Sequence, residues 1–178
     1  LMDHFADPTV GGGCGRLELI DSKGTPGGAG EGIYWSFEKR IKAAEGTLFS
    51  VISANGSIFA VRRSLLYPLP IRAAINDDFM LTLQVLRNQQ RVVYEPKAVA
   101  EESTSPDMEG ELRRKIRISS LNYNSLPTLI TILRPKFGFA ALALFSHKLI
   151  RWMVPYLGMG MLLSNVLLVN HGGIYPYL

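Results

Sequence analysis

Asn76-Asp77-Asp78-Phe79 sets two carboxylates side by side where an apolar helical pattern begins, and about thirty residues later comes the cationic run Glu111-Leu112-Arg113-Arg114-Lys115-Ile116-Arg117. A carboxylate pair at the start of a helix can deprotonate a hydroxyl, while clustered Arg and Lys can neutralise a phosphate-bearing leaving group. Together they point to group transfer from an activated donor. Each also has a plain structural use. An acidic first turn complements the helix dipole, worth ~0.3–1 kcal/mol, and a basic run can be a solvated face. Residues 152–169 then carry no charge, and a helix of ~20 such residues can cross a bilayer. The chemistry would sit beside a membrane.

The elements that must position these residues follow from pattern. Asn76 suits the N-cap of a helix running to about Asn88, with Phe79, Leu83 and Leu86 on one face. Upstream, residues 31–45 place Tyr34, Phe37, Ile41 and Ala44 at helical spacing with Lys39, Arg40 and Lys42 off that face, which predicts an amphipathic helix carrying Trp35 and Glu38 on its other flank. Strands are expected at residues 16–20 and 57–61, and at 91–95, where Pro96 should end the pairing, with 98–100 as a short apolar continuation. Gly11-Gly12-Gly13-Cys14-Gly15 reads as a flexible loop before the first strand; a phosphate-binding loop is the other use of such a run, but no G-K-[ST] follows. Asn55-Gly56 is a turn dipeptide, and Asn55-Gly56-Ser57 also matches the glycosylation sequon. Residues 106–120 form a further helix whose cationic side carries Arg113, Arg114 and Arg117. Alternating strands and helices of these lengths predict an α/β layer fold with a partly parallel sheet.

The chain has 178 residues and a formal charge of +4, which by itself fits nucleic acid, anionic lipid or a phosphorylated substrate equally. Placement says more. After Arg113, Arg114, Lys115 and Arg117 the cations gather at Arg134, Lys136, Lys148 and Arg151, and none follows. By the positive-inside rule the side before the span faces the cytoplasm. Residues 1–135 are then a soluble part, 136–151 a helix in the membrane interface, 152–170 a transmembrane helix marked at its water boundary by Trp152, Pro155 and Tyr156, and 171–178 an extracytoplasmic tail. Cys14 is the only cysteine, and His4, His147 and His171 lie far apart, so no disulfide and no metal site is expected within the chain. The basic run lacks interleaved aromatics, which argues against nucleic acid. No secretory signal opens the sequence, and a chain starting at Leu1 is expected to belong to a longer protein.

Five segments in order, Glu31-Gly32-Ile33-Tyr34-Trp35-Ser36-Phe37-Glu38-Lys39, Asn55-Gly56-Ser57-Ile58-Phe59-Ala60-Val61-Arg62-Arg63, Asn76-Asp77-Asp78-Phe79, residues 111–118 and Ser146-His147-Lys148-Leu149-Ile150-Arg151-Trp152, together resemble the second half of membrane-bound family 2 glycosyltransferases. These are relatives of cellulose, hyaluronan and exopolysaccharide synthases. The resemblance implies the C-terminal part of a GT-A type domain and inverting transfer from a nucleotide-sugar donor to a growing exported polysaccharide or glycolipid acceptor, at the inner (plasma) membrane. It makes Asp78 the general base with Asp77 its neighbour. The family's Q-x-x-R-W element falls on residues 111–115, where Arg114 matches the arginine while Glu111 and Lys115 depart from the glutamine and tryptophan. That implies diphosphate contacts from Arg114, Lys115 and Arg117 with Glu111 beside them, and, by analogy, acceptor contacts from Trp35 and Glu38. The D-x-D that holds Mg2+ or Mn2+ in the family would lie upstream of Leu1. The alternatives are a single-sugar transferase acting on a lipid-phosphate acceptor and a non-catalytic basic module that binds anionic lipid through residues 113–117.

Overall fold

The computed structural model describes residues 1–20, 26–69, 75–103 and 108–168, without the side chains of 26–33, 108 and 111. The expected tail 171–178 lies outside them. The chain forms two compact units, Leu1–Ala141 and Leu142–Leu178.

The first unit is built on a three-stranded mixed sheet of order β2-β1-β3. Central β1 (Val10–Ile20) takes in the whole glycine run, so the loop expected there is a buried strand. The physical reason is space. A Cβ on Gly11 would stand 2.6 Å from Leu65 Cδ1 and 2.8 Å from Val85 Cγ1, and one on Gly15 only 2.2 Å from the Ala98 carbonyl oxygen. Glycine in a strand marks such close approach. Edge strand β2 (Phe59–Val61) runs antiparallel to β1, with Gly12 opposite Val61 and Cys14 opposite Phe59.

On the other edge β3 (Arg91–Ser103) runs parallel to β1, from Val10 opposite Arg91 to Ile20 opposite Ser103. The pairing continues past Pro96, where the sequence pattern ends it. Gly15 pairs with Glu95 and the next residue, Arg16, with Val99, so residues 96–98 bulge out. A bulge absorbs the N–H that proline lacks and lets the ladder resume.

Between β1 and β3 the chain forms α1 (Pro26–Leu48), β2 and α2 (Asp77–Arg87). Then come α3 (Met108–Asn124) and α4 (Leu126–Ile132). In α2 the expected stripe is buried, with Phe79, Leu83 and Leu86 shielded from water. Val85 of the same helix joins Cys14, Val51, Ala54, Leu65 and Val92 in the core against the sheet. Burying each of the valines and Leu65 contributes about 1.5–3 kcal/mol.

The face of α1 differs from the amphipathic pattern. Tyr34 and Phe37 are exposed, while Glu38, Lys42 and Glu45 are buried. Their spacing of four and three residues puts them on one stripe. Apolar periodicity misplaced the face because this stripe meets polar partners, as described below.

The second unit opens within α5 (Gly138–Leu144), continues through a π-helical turn, Phe145–Leu149, and enters α6 (Ile150–Leu168). The helical run Pro135–Leu168 has 34 residues, long and apolar enough to cross a membrane by length and composition. At 1.5 Å per residue, the 19 residues of α6 span about 28 Å, close to the ~30 Å of a hydrocarbon core. None of the α6 residues is buried, and Met153, Leu157, Met161, Leu163 and Leu167 are all exposed. Pro155 sits inside this helix, which neighbouring backbone adjustments in a membrane helix tolerate.

Candidate functional site

The start of α2 brings the acidic pair into place. Asn76 occupies the N-cap position, yet its side chain makes no capping bond; its Nδ2 donates to Asn122 Oδ1 of α3 at 3.3 Å. The vacant capping role passes to Asp78, whose Oδ1 accepts the Phe79 N–H at 2.6 Å. One of the otherwise unpaired amides of the first turn is thereby satisfied, and the helix dipole favours the negative charge. Asp78 is half-buried, whereas Asp77 is exposed. The other Asp78 oxygen, Oδ2, lies beside the turn after Asn55, where a Cβ on Gly56 would be 3.0 Å from it.

That turn is anchored from two sides. Asn55 Nδ2 donates to the Gly15 carbonyl of β1 at 2.7 Å, and Asn55 Oδ1 accepts a short hydrogen bond from Lys42 Nζ of α1. One residue earlier, the Ala54 N–H donates to Thr82 Oγ1 at 3.1 Å, and that hydroxyl donates to the Asp78 carbonyl at 2.8 Å. The sequon asparagine is therefore buried and its amide engaged, which bars glycan attachment in the folded chain.

Lys42 is the electrostatic centre of this region, only 8% exposed. Burial pushes its ammonium below the ordinary lysine value, opposed by the attraction of Cys14, Glu38, Asp78 and Glu45. Burial also pushes the Cys14 thiol up, with nearby Lys42 pulling the other way. Glu38 accepts the Tyr34 hydroxyl at 3.0 Å, and Glu45 Oε2 accepts the Ile52 N–H at 3.2 Å. A buried amine is tolerated where it is hydrogen-bonded, as Lys42 is to Asn55.

Trp35 and Glu38 share the flank of α1 that carries Lys42, with Trp35 half-buried. The Tyr34 and Trp35 rings meet edge to face at 5.8 Å.

The structure separates the cations of α3 instead of presenting them on one side. Arg114 is half-buried on the flank that carries Ile118, Leu121 and Asn122, while Arg113, Lys115 and Arg117 are exposed. Arg113 is tied to Glu109 one turn back at 2.5 Å. Because Asn122 bonds to Asn76, the Arg114 flank is the one that docks beside the start of α2; eight residues place Arg114 about 12 Å along the axis from Asn122. The side chain of Glu111 lies outside the described residues.

Among the described residues no group of three or more His, Cys, Asp and Glu side chains could hold a metal ion. The resemblance assigns the Mg2+ or Mn2+ ligands to none of these residues.

Lys42, Asn55 and Gly56 were not legible as site residues. The available signal was Glu38, Lys42 and Glu45 at helical spacing on the flank of Trp35, which a solvated face would show equally. No family model matches the chain, and no curated protein matches it.

Proposed function

We propose that this chain is the acceptor-side, membrane-anchored part of an inverting glycosyltransferase with a GT-A type domain, transferring a sugar from a nucleotide-sugar donor to a growing exported polysaccharide or glycolipid on the cytoplasmic side of the membrane. The observation that carries the proposal is the state of Asp78. It is half-buried at a helix N-terminus, with one oxygen engaged by an amide and the other beside the Gly56 turn.

A base in that setting is held in a fixed direction. As the acceptor hydroxyl oxygen bonds to the anomeric carbon, its proton passes to the Asp78 carboxylate and the bond from that carbon to the nucleoside diphosphate breaks, inverting the centre. The departing diphosphate gains negative charge and needs cationic contact. Arg114, on the flank of α3 that docks beside α2, supplies it, while Lys115 and Arg117 are exposed and better placed to meet anionic lipid.

The test is Asp78→Asn in the full-length protein assayed in membrane vesicles with labelled nucleotide sugars. Sugar transfer should be lost with donor binding retained. Turnover by the Asn variant at the wild-type rate rejects Asp78 as the base.

A further inference from the structure

Asp78 is fixed at one oxygen by its own helix, and its other oxygen lies against a residue from a different segment. Gly56 is exposed, and its backbone lies outside the left-handed region. The three atoms nearest a Cβ there all belong to Asp78: Oδ2 at 3.0 Å, Cγ at 3.6 Å and Cβ at 3.7 Å. The backbone conformation does not call for glycine at this position; the nearness of the carboxylate does.

The turn that presents Gly56 is held by side chains whose burial is hard to explain by stability. Lys42 and Glu45, on one helix stripe, are taken out of water to hold Asn55 and the Ile52 amide, while Glu38 beside them bonds to Tyr34. Apolar residues of similar size are often as stabilising as buried charged groups, or more so. What the polar set does that an apolar set would not is to fix Asn55 by a directional bond.

We propose that the Asn55–Gly56 turn, anchored by Lys42 on one side and the Gly15 carbonyl on the other, is a seat that aims the Asp78 carboxylate, making Lys42, Asn55 and Gly56 positioning residues for its proton abstraction. This rests on the glycosyltransferase function proposed above. The glycine gives the carboxylate room to approach the turn, and Lys42 keeps the turn in register.

The experiment compares wild type, Gly56→Ala, Lys42→Met and Lys42→Arg in the full-length protein in membrane vesicles, reading kcat, donor KM and the melting temperature. Gly56→Ala adds one methyl against Oδ2, and a misplacement of that kind should lower kcat by about 10–100-fold. Donor KM and melting temperature should stay near wild type, since the position is exposed and the atoms nearest the methyl belong to Asp78. Lys42→Met, which removes the donor to Asn55 Oδ1, should lower kcat in the same way with donor KM kept, and Lys42→Arg, which keeps a donor, should lose less.

Gly56→Ala with wild-type kcat overturns the seat, whatever the fate of the lysine variants. So does a folded Lys42→Met enzyme with wild-type kcat. If Lys42→Met fails to fold, Gly56→Ala decides alone, since its substitution is at the surface. Wild-type vesicles that transfer no sugar overturn the parent function instead, which separates the two failures.

Discussion

Gly15→Ala should destabilise the protein sharply while Gly13→Ala, two residues away in the same strand, should not. At Gly15 the added Cβ would stand 2.2 Å from the Ala98 carbonyl oxygen and 2.8 Å from Ile58 Cγ2, whereas Cβ atoms essentially never approach closer than 3.0 Å. The strands must therefore separate by at least 0.8 Å, the difference between 3.0 and 2.2. The obstacle is backbone, so no side-chain rotation relieves it. The same separation pulls on the Gly15 N–H bond to the Ile58 carbonyl, 3.0 Å, and on the Asn55 bond to the Gly15 carbonyl, 2.7 Å. Overpacking of this kind costs about 1–3 kcal/mol or more, which for a domain of this size lowers the melting temperature by roughly 4–12 °C. At Gly13 the nearest atom would be Leu1 Cδ2 at 3.4 Å, an ordinary contact with the end of a side chain. Alanine there should be neutral or gain up to about 1 kcal/mol from reduced backbone entropy. The assay is thermal unfolding of both variants of the detergent-solubilised protein. Equal melting temperatures would refute the packing explanation of the glycine run. Unchanged stability with loss of phosphate-ligand binding in both would favour the phosphate-loop alternative.

Two further outcomes follow from the same framework. Thr82→Val keeps the shape of a buried side chain but strands the Ala54 N–H that its hydroxyl now accepts; it should cost about 1–3 kcal/mol, and an unchanged thermal midpoint would show that the contact carries no weight. At the N-terminus, bonds from the Thr9 hydroxyl and amide, then from Arg91, hold the Asp7 carboxyl at about 2, below its ordinary 3.8. Its folded value is the lower one, so its contribution is complete above 3.8 and is lost as pH falls towards 2. Glu95 is shifted the same way by the Lys97 N–H and then His4. Thr9→Val should raise the Asp7 value and move acid unfolding to higher pH; a carboxyl titration that does not move would contradict the assignment.

Much of the local structure was legible in the residues. The helix after Asn76 has its polar start, its acidic first turn and an apolar stripe through Phe79, Leu83 and Leu86, and all three are consequences of one helical period. The long apolar helix that ends with α6 is legible by the same logic, since length and absence of charge are properties of the chain alone. A partly parallel sheet was foreseeable from the alternation of strands and helices, although not which strands pair, and Pro96 hid the fact that β3 bulges and continues.

Tertiary structure decided the rest. Whether Gly11 and Gly15 lie in a loop or a strand depends on how near Leu65, Val85 and Ala98 come, and those neighbours are 50 to more than 80 residues away. Whether Lys42 faces water or the interior depends on Asn55 and Asp78, which arrive from other segments. Of the cations of α3, Arg114 alone shares the flank of Asn122 because that one asparagine meets Asn76. Periodicity reports what a residue's own helix or strand does with it. The burial of a charge is set by partners distant in sequence, so the sequence by itself determined the helices and the membrane-length segment, and only the folded chain determined which of their polar faces surrounds Asp78.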